Sequence, residues 1–176
     1  SDRSFSEVVG LGSFVSLLQD LVPGDVLLWN CRARPMTEGV GAQPIVENTV
    51  VLTHNGVVGN EEELRKEYGP VEIDSQWIAR VWSEQMKVAS YGLEIRESLQ
   101  KMALILSGGF AVLMVNTEFS GPAAKLLIAF RDFKPLSYVR TSWGVVFASE
   151  QEMLSDVSMK ETEVKELLAF SAVVFN

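Results

Sequence analysis

The sequence contains only one cysteine and one histidine in 176 residues. A single cysteine cannot form an internal disulfide, so the fold does not depend on disulfides and a reducing compartment is expected. One cysteine and one histidine also fall short of the ligand set of the usual structural zinc site. The sequence therefore predicts neither a metal site nor a cofactor.

Clustered positive charge and long apolar runs are absent as well. The chain has 15 Lys and Arg against 23 Asp and Glu, a formal net charge of −8. Because nucleic-acid affinity comes from clustered cations, neither nucleic acid nor an anionic membrane is predicted as a partner. No apolar run reaches the roughly 18 residues that cross a bilayer, and residues 1–10 do not resemble a signal or transit peptide. A cytoplasmic location is expected.

The composition is that of one folded domain. Hydrophobic residues make up 47% of the chain and charged residues 22%, which is ample for a core. The length suits a single domain over residues 1–176. Several near-continuous apolar segments predict strands that are covered on both faces, with helices packed outside them. We predict an α+β layered domain.

Hydrophobic periodicity predicts the order of the elements. The first half is predicted to contain a helix with Phe14, Leu17, Leu18 and Leu21, strands at 25–32 and 48–53, a helix from Asn60, a helix from Asp74 with Ile78, Val81 and Trp82 on its apolar face, and a helix with Ile95, Leu99, Met102, Ala103 and Leu106. The second half is predicted to contain a meander of strands at 110–115, 126–130 and 145–148, a short helix from Glu150, a helix at 161–168 and a strand at 172–175. The side chains of Asn60 and Glu63 are expected to form a capping box.

The segment from Val50 to Asn60 carries the most information. Its Asn55-Gly56 pair is typical of a tight β-hairpin turn, so a hairpin is the simplest interpretation. Other motifs surround it in a fixed order. They are Arg34-Pro35-Met36-Thr37-Glu38-Gly39 and Ala42-Gln43-Pro44 upstream, and Glu62-Glu63-Leu64, Asp74-Ser75-Gln76, Gly109-Phe110-Ala111, Arg131-Asp132 with Pro135-Leu136, and Phe147-Ala148-Ser149-Glu150 downstream.

In this order, the motifs resemble the glutaminase domain of the class II, N-terminal-nucleophile (Ntn) glutamine amidotransferases. The likeness runs from about Val26 to the C-terminus and is closest to the phosphoribosylpyrophosphate amidotransferases. The resemblance implies an Ntn-hydrolase-like four-layer αββα sandwich of antiparallel sheets. It also implies L-glutamine as the ligand, a synthase domain as the partner that receives ammonia, and no cofactor.

The resemblance further implies roles for individual residues. Arg34, with Thr37 beside it, matches the arginine that clamps the glutamine α-carboxylate, a task that suits a planar guanidinium. Asn55 and Gly56 match the two donors of the oxyanion hole. Asp74 matches the acid that pairs with the α-ammonium group. The family usually has Glu at the position of Gln76.

Simpler interpretations remain open for these residues. Arg34 could be a surface cation, and Asp74 only a helix cap. His54 belongs to the candidate substrate-binding set by its place beside Asn55, but a packed strand residue is favoured, because an N-terminal nucleophile uses its own amine as the base. Cys31 lies where the resemblance implies no catalytic residue, and a lone cysteine is more often a small buried hydrophobe.

The nucleophile that the resemblance implies, a processed N-terminal Cys, has no match. Ser1 opens the chain, and only 33 positions (34 − 1) separate it from Arg34, so we expect the fold to lack its first strand layer. Three explanations are open. A Cys-bearing N-terminal segment completes an enzyme that hydrolyses glutamine to glutamate and ammonia for a synthase; or the domain is an inactive relative with a binding, structural or assembly role; or Ser1 is itself the nucleophile.

Overall fold

The computed structural model describes Val26, Leu28 and residues 43–88, 93–117, 127–155, 157 and 163–175. The predicted helix around Phe14 lies outside these residues, as does most of the predicted strand at 25–32. Elements are numbered below in chain order within the part of the chain that is described.

The larger sheet contains five antiparallel strands. Its first pair, β1 (Ile45–Glu47) and β2 (Val50–Val58), is joined by a turn in which Asn48 has a φ of 53°. β2 pairs over its whole length with β3 (Gly108–Asn116), from Val50 opposite Asn116 to Val58 opposite Gly108. β4 (Leu127–Arg131) and β8 (Ser171–Phe175) complete the order β1-β2-β3-β4-β8. The predicted strands at 110–115, 126–130 and 172–175 are thus confirmed to within two residues.

The smaller sheet is built from the chain between β4 and β8. It has the order β6-β5-β7, with β5 at Ser137–Thr141, β6 at Gly144–Ala148 and β7 at Lys165–Glu166. A 3₁₀ helix over Gln151–Leu154 follows β6, where a short helix was expected. The three strands that follow β4 directly, β5 to β7, therefore belong to a second sheet, and the expectation of one continuous meander was wrong.

The expectation of a helix at 161–168 was also wrong, because the described part of this segment contains β7. Glu, Lys and Leu give the segment a good helix propensity, but tertiary contacts decide its conformation. The backbone N–H of Leu167 donates to the carbonyl of Leu136 at 2.8 Å. Both leucines are buried in one apolar cluster. Burial of Leu167 beside β5 thus overrides the local preference.

Three helices cover one face of the larger sheet. They are α1 (Glu61–Tyr68), α2 (Ser75–Val88) and α3 (Leu93–Ile105). Ile78, Val81 and Trp82 are completely buried, as the periodicity of α2 predicts. Ala103, which was expected on the buried face of α3, is exposed. The main core lies between these helices and the larger sheet, and it includes Val50, Leu52, Leu64, Trp77, Ile78, Val81, Trp82, Met102, Met114 and Ile128.

A second apolar cluster joins the opposite face of the larger sheet to the smaller sheet. It contains Ala111, Ala129, Leu136 and Leu167, with Leu113, Phe147 and Val173 packed against them. The described residues therefore form an α+β arrangement of antiparallel sheets, stacked in the order helices, larger sheet, smaller sheet. These are three layers of the predicted αββα sandwich.

Asn60 occupies the position before α1, but its side chain does not cap that helix. Its amide nitrogen donates to the carbonyl of Ile105 at 2.8 Å, and its oxygen accepts the N–H of Ser107 at 3.0 Å. The capping box with Glu63 is thus a wrong prediction. The Asn60 amide instead ties the start of α1 to the end of α3, because the backbone groups that follow α3 are within its reach.

Candidate functional site

Asn55 and Gly56 lie within β2, close to its Val58 end, and not in a turn. Asn55 is opposite Ala111 and Gly56 is opposite Phe110 in the ladder with β3. The hairpin interpretation of this pair is therefore wrong, because β2 continues through Val58 and its partner strand comes from 50 residues downstream. Gly56 is therefore needed for a reason other than forming a turn.

Gly56 is required by the close approach of β2 and β3. Its φ is 139°, a conformation that side-chain-bearing residues rarely adopt. A Cβ built on Gly56 would lie 2.0 Å from the carbonyl oxygen of Gly109 and 2.7 Å from the Cα of Phe110. Both contacts are with backbone, which cannot move aside without separating the strands. Only glycine fits here while the two strands remain paired.

His54 and Asn55 point to opposite faces of the larger sheet, as successive residues of a strand do. The His54 ring lies under the helices, 5% exposed, with Nδ1 2.8 Å from the hydroxyl oxygen of Ser75. Its ring meets that of Phe110 edge-on, with centroids 6.4 Å apart. Asn55 is exposed. The geometry thus gives His54 the surroundings of a packed strand residue.

Two side chains hold the edge of β2 on either side of Gly56. The Gln43 amide donates to the His54 carbonyl at 3.0 Å and accepts the His54 N–H at 2.7 Å. The Asp74 carboxylate accepts the Val58 N–H at 3.0 Å. Because alternate residues of a strand direct their N–H groups to the same edge, the Gly56 N–H points to this edge between the two.

Asp74 precedes α2 and faces three groups at once. Besides the Val58 N–H on Oδ2, its Oδ1 accepts the Ser75 hydroxyl at 3.4 Å and lies 3.9 Å from Nδ1 of His54. The side chain is 27% exposed. The Asp74 side chain therefore combines a long, weak hydrogen bond on Oδ1 with partial access to solvent. The carboxylate is both a structural acceptor for β2 and a negative charge that a ligand can reach.

Gln76, where the resemblance implies Glu, is used inside the fold. Its Oε1 accepts the N–H groups of Glu72 and Ile73 at 2.9 and 3.2 Å. Its Nε2 donates to the carboxylate of Glu47 at 3.1 Å. The same carboxylate also pairs with Arg80 at 2.9 Å. A carboxylate in place of the Gln76 amide could not donate to Glu47, which gives the departure from the family pattern a structural reason.

Asp132 organises the strand that faces Gly56. Its Oδ1 accepts the N–H of Phe110 at 2.5 Å and also that of Phe133, while its own N–H donates to the Phe110 carbonyl at 3.0 Å. The residue is buried, at 8% exposure. The neighbouring Arg131 pairs with Glu166 of β7. Asp132 therefore fixes the Gly109-Phe110 backbone. Arg131 links the larger sheet to the smaller one.

The structure brings Asn55, Gly56, His54 and Asp74 together at one end of β2. Arg34 and Thr37 lie outside the described residues. A cleft of about 500 Å³ is found elsewhere, beside α1 and α2, where Tyr68, Glu67, Arg80, Ser83 and Glu84 contribute to its lining. None of the four described candidate residues, Asn55, Gly56, His54 and Asp74, lines that cleft.

Within the described ranges, no group of three or more His, Cys, Asp and Glu side chains is arranged to hold a metal ion. The helices of the same residues include none that is long and apolar enough to cross a bilayer.

Three residues that hold β2 or the neighbouring β3 beside the candidate site were not singled out from the sequence as parts of it. They are Gln43, Ser75 and Asp132, each of which lies within a motif of the resemblance. Their place in those motifs was the available signal, but the partners of these side chains, which are backbone groups of His54 and Phe110 and the His54 ring, depend on how the distant strands pair. That pairing is visible only in the folded chain.

Comparison with known proteins identifies the family. A family model of the glutamine amidotransferase domain matches residues 30–156, which is most of the chain. Glutamine–fructose-6-phosphate aminotransferase (isomerizing) from Helicobacter pylori (strain J99) is 26% identical over 133 residues, covering 72% of this chain and 21% of that protein. The enzyme of the same name from Gluconobacter oxydans (strain 621H) is 28% identical over 144 residues, covering 78% and 22%. The chain thus spans about a fifth of the length of these relatives.

Solved structures show the same fold. Glutamine phosphoribosylpyrophosphate amidotransferase from B. subtilis, complexed with ADP and GMP, superposes with a TM-score of 0.57 at 19% identity, over 76% of this chain and 30% of that one. A structure described as the allosteric regulatory enzyme of purine biosynthesis matches with the same TM-score of 0.57, over 76% and 29%. The family match and the shared fold together show that this chain belongs to the glutamine amidotransferases, as a domain of the class II, Ntn type.

Proposed function

We propose that this domain binds L-glutamine at the end of β2 and serves as the glutaminase part of a class II amidotransferase. The observation that carries the proposal is the edge of β2 at Gly56, which the described residues leave open between the Gln43 amide and the Asp74 carboxylate. Asn55 adds a side-chain amide that is exposed beside this edge. Two donors next to a reachable carboxylate fit a substrate that has both a carboxamide and an ammonium group.

Asp74 is proposed to bind the α-ammonium group of glutamine. Its side chain is 27% exposed, and the contacts of Oδ1 with the described residues His54 and Ser75 are long. Arg34 and Thr37 are proposed to hold the α-carboxylate, since a guanidinium can form two parallel charge-assisted hydrogen bonds to it. Pairing both charged ends of the amino acid would fix the position of the carboxamide. His54 is proposed to act by packing and not by direct contact with glutamine.

Asn55 and Gly56 are proposed to form the oxyanion hole. A Cys thiolate attacks the carboxamide carbon, and the carbonyl oxygen takes the negative charge and accepts hydrogen bonds from the Asn55 amide and the Gly56 N–H. The C–N bond then breaks as the nitrogen is protonated, and ammonia leaves. Water hydrolyses the resulting glutamyl thioester to glutamate. The thiolate is assigned to a Cys-bearing N-terminal segment that completes the domain.

The ammonia is proposed to pass to a synthase domain. The relatives of known function are named for transfer to fructose 6-phosphate, and the chain covers about a fifth of their length. The acceptor of this protein is therefore sought in a partner domain. The natural location of such a system is the cytoplasm, where free glutamine is available.

A second candidate is an inactive relative that binds glutamine or serves in assembly. It is favoured by one observation: Gln76 stands where the resemblance implies Glu, and its amide is used inside the fold by Glu72, Ile73 and Glu47. Such a domain would keep the glutamine pocket without the chemistry, because fold alone does not determine function. Binding and hydrolysis must therefore be measured separately.

The binding test is isothermal titration of the natural full-length protein with L-glutamine, with L-glutamate and D-glutamine for comparison. Asp74→Asn keeps an oxygen that can accept the Val58 N–H but removes the charge, so affinity should fall at least tenfold. Arg34→Ala should also weaken binding. Glu72→Gln, which removes an exposed carboxylate two residues away, is the matched control and should bind like the wild type. Equal affinity of the Asp74→Asn protein would reject the assigned role of Asp74.

Release of glutamate and ammonia from L-glutamine, measured on the same protein, separates the two candidates. The mature N-terminus, read by top-down mass spectrometry, should begin with Cys or carry a tightly held Cys-bearing peptide if the domain is active. Glutamine binding without release of either product would support the inactive relative. An acyl adduct on Ser1 would instead identify that residue as the nucleophile.

A further inference from the structure

We infer that Gln43 is a positioning residue for the oxyanion donors, holding the backbone of β2 through its side-chain amide. The inference rests on the proposed function of Asn55 and Gly56. Gln43 itself contacts neither the ligand nor the reacting atoms. It acts through His54, whose backbone immediately precedes the two donors.

The ladder between β1 and β2 stops short of the donors. Its last pair in that direction is Ile45 opposite Leu52. Continuing the same register by two residues would place residue 43 opposite His54. Pro44 interrupts the ladder, since proline has no N–H to donate. From Thr53 onward, β2 therefore has no neighbouring strand on this edge among the described residues.

The side chain of Gln43 takes the place of that missing strand. A primary carboxamide presents an N–H donor and a carbonyl acceptor side by side, as a peptide group does. Nε2 donates to the His54 carbonyl at 3.0 Å, and Oε1 accepts the His54 N–H at 2.7 Å. Both backbone groups of His54 on this edge are thus satisfied by one side chain. On its other edge, His54 is opposite Val112 of β3.

The result is a strand held on both sides of an open position. Gln43 fixes β2 two residues before Gly56, and Asp74 fixes it two residues after, through the Val58 N–H. Between them, the Gly56 N–H points to an edge where a substrate oxygen could sit. Oxyanion stabilisation needs donors within a few tenths of an ångström of their working positions, and a misplacement of about 1 Å can cost up to about 10²-fold in rate.

The test compares Gln43→Glu with Gln43→Asn in the full-length protein. The Gln43→Glu side chain has the same length, and its carboxylate accepts the His54 N–H but cannot donate to the His54 carbonyl. The Gln43→Asn side chain keeps the amide but is shorter by about 1.5 Å. Gln100→Glu, an amide-to-acid change at an exposed position of α3, is the matched control. Thermal unfolding establishes which variants are folded.

We expect Gln43→Glu to lower the kcat of glutamine hydrolysis at least tenfold with KM changed less than twofold, and Gln43→Asn to lower it less. Gln100→Glu should leave both unchanged. A purely structural role would lower the melting temperature without this split in the folded protein. A folded Gln43→Glu protein with wild-type kcat and KM would overturn the inference.

If the protein binds glutamine without hydrolysing it, the hydrolytic part of the proposed function is wrong and kcat cannot be measured. The positioning role of Gln43 then needs a different readout. In that case the Gly56 amide resonance is followed by NMR during titration with L-glutamine. Its shift on saturation should be lost or at least halved in Gln43→Glu while the wild type and Gln100→Glu retain it. An unchanged shift in Gln43→Glu would overturn the positioning role independently of catalysis.

Discussion

Gly56 of β2 lies so close to Gly109 of β3 that a Cβ on Gly56 would be 2.0 Å from the Gly109 carbonyl oxygen. The relationship is not symmetrical. A Cβ on Gly109 would meet no atom within 4 Å. The two glycines are diagonal neighbours in the β2–β3 ladder, since Gly56 is opposite Phe110 and Gly109 is opposite Val57, and only Gly56 is required to be glycine by its contacts.

Gly56→Ala should destabilise the domain much more than Gly109→Ala. The added methyl group at residue 56 forces the two strands apart and strains a backbone with a φ of 139°, for an expected loss of at least about 2 kcal/mol. The same methyl group at residue 109 has open space. Urea unfolding of both variants measures the difference, and equal midpoints would contradict the close approach.

Leu64→Ala should cost far more stability than Leu104→Ala. Leu64 is 1% exposed and belongs to the main core, whereas Leu104 is 87% exposed. Truncation of a buried leucine removes its burial energy and leaves a cavity, for a loss of about 2–5 kcal/mol. Truncation of an exposed leucine on a helix should change the free energy of unfolding by less than about 0.5 kcal/mol. Chemical denaturation of the pair tests the packing of α1.

Asp132→Ala should destabilise the domain, and Asp132→Asn should do so less. The alanine leaves the N–H groups of Phe110 and Phe133 without the oxygen that now accepts them, at a cost of about 1–3 kcal/mol for each group that stays buried and unpaired. The asparagine keeps one oxygen in nearly the same place. Unfolding free energies in the order wild type, asparagine, alanine are expected. An alanine variant as stable as the asparagine variant would contradict this role.

Asn55→Ala should lower the kcat of glutamine hydrolysis by about 10²–10³-fold with little change in KM, if Asn55 is an oxyanion donor as proposed. The lost hydrogen bond belongs mainly to the transition state, so ground-state binding is spared. Steady-state kinetics of the active full-length protein provide the measurement. A large rise in KM with unchanged kcat would move Asn55 from the oxyanion hole to substrate binding.

Alkaline pH should destabilise the wild type more than Tyr68→Phe. Burial, followed by the nearby carboxylates of Glu67 and Glu84, raises the pKa of the Tyr68 phenol above its ordinary value of 10.0. Above pH 10 the unfolded chain loses this proton before the folded one does, so folding is progressively disfavoured as the pH rises through the folded pKa. Urea midpoints from pH 8 to pH 11 should converge or cross for the two proteins. A constant difference would show that Tyr68 does not contribute.

The sequence was most informative where side-chain pattern alone determines structure. Burial of Ile78, Val81 and Trp82 followed from helical periodicity, because one face of α2 must cover the sheet. The β-branched and apolar runs of β3 and β4 were likewise sufficient to predict strands. Ala103 was misplaced since a small side chain at the margin of an apolar stripe carries little signal.

The errors have a common physical cause in contacts between distant segments. Asn55-Gly56 has the composition of a turn, but pairing with β3 keeps it extended. The Asn60 amide bonds to the end of α3 instead of capping its own helix, and burial of Leu167 prevents the expected helix at 161–168. In each case a partner more than 20 residues away decided the outcome, and a local pattern cannot contain that partner.

The resemblance could name candidate site residues, but it could not predict the contacts that hold them. Resemblance supplied Asn55, Gly56 and Asp74, and the structure brings them to one end of β2. The two hydrogen bonds between the Gln43 amide and the His54 backbone depend on where the β1–β2 ladder stops. That endpoint is a property of the folded sheet.

The order in which the chain passes through the two sheets determines which parts of the domain could be expressed separately. The chain leaves the larger sheet after Arg131 and returns to it at Ser171, and these two residues are opposite each other in the β4–β8 ladder. The smaller sheet is formed from the residues between them. The larger sheet is therefore not a contiguous piece of sequence, because the smaller sheet is inserted between its last two strands. A deletion of β8 would expose the edge of β4 and invite aggregation. Fusion partners and reporter insertions should accordingly be placed in exposed turns, such as the one between β5 and β6, and not between the sheets.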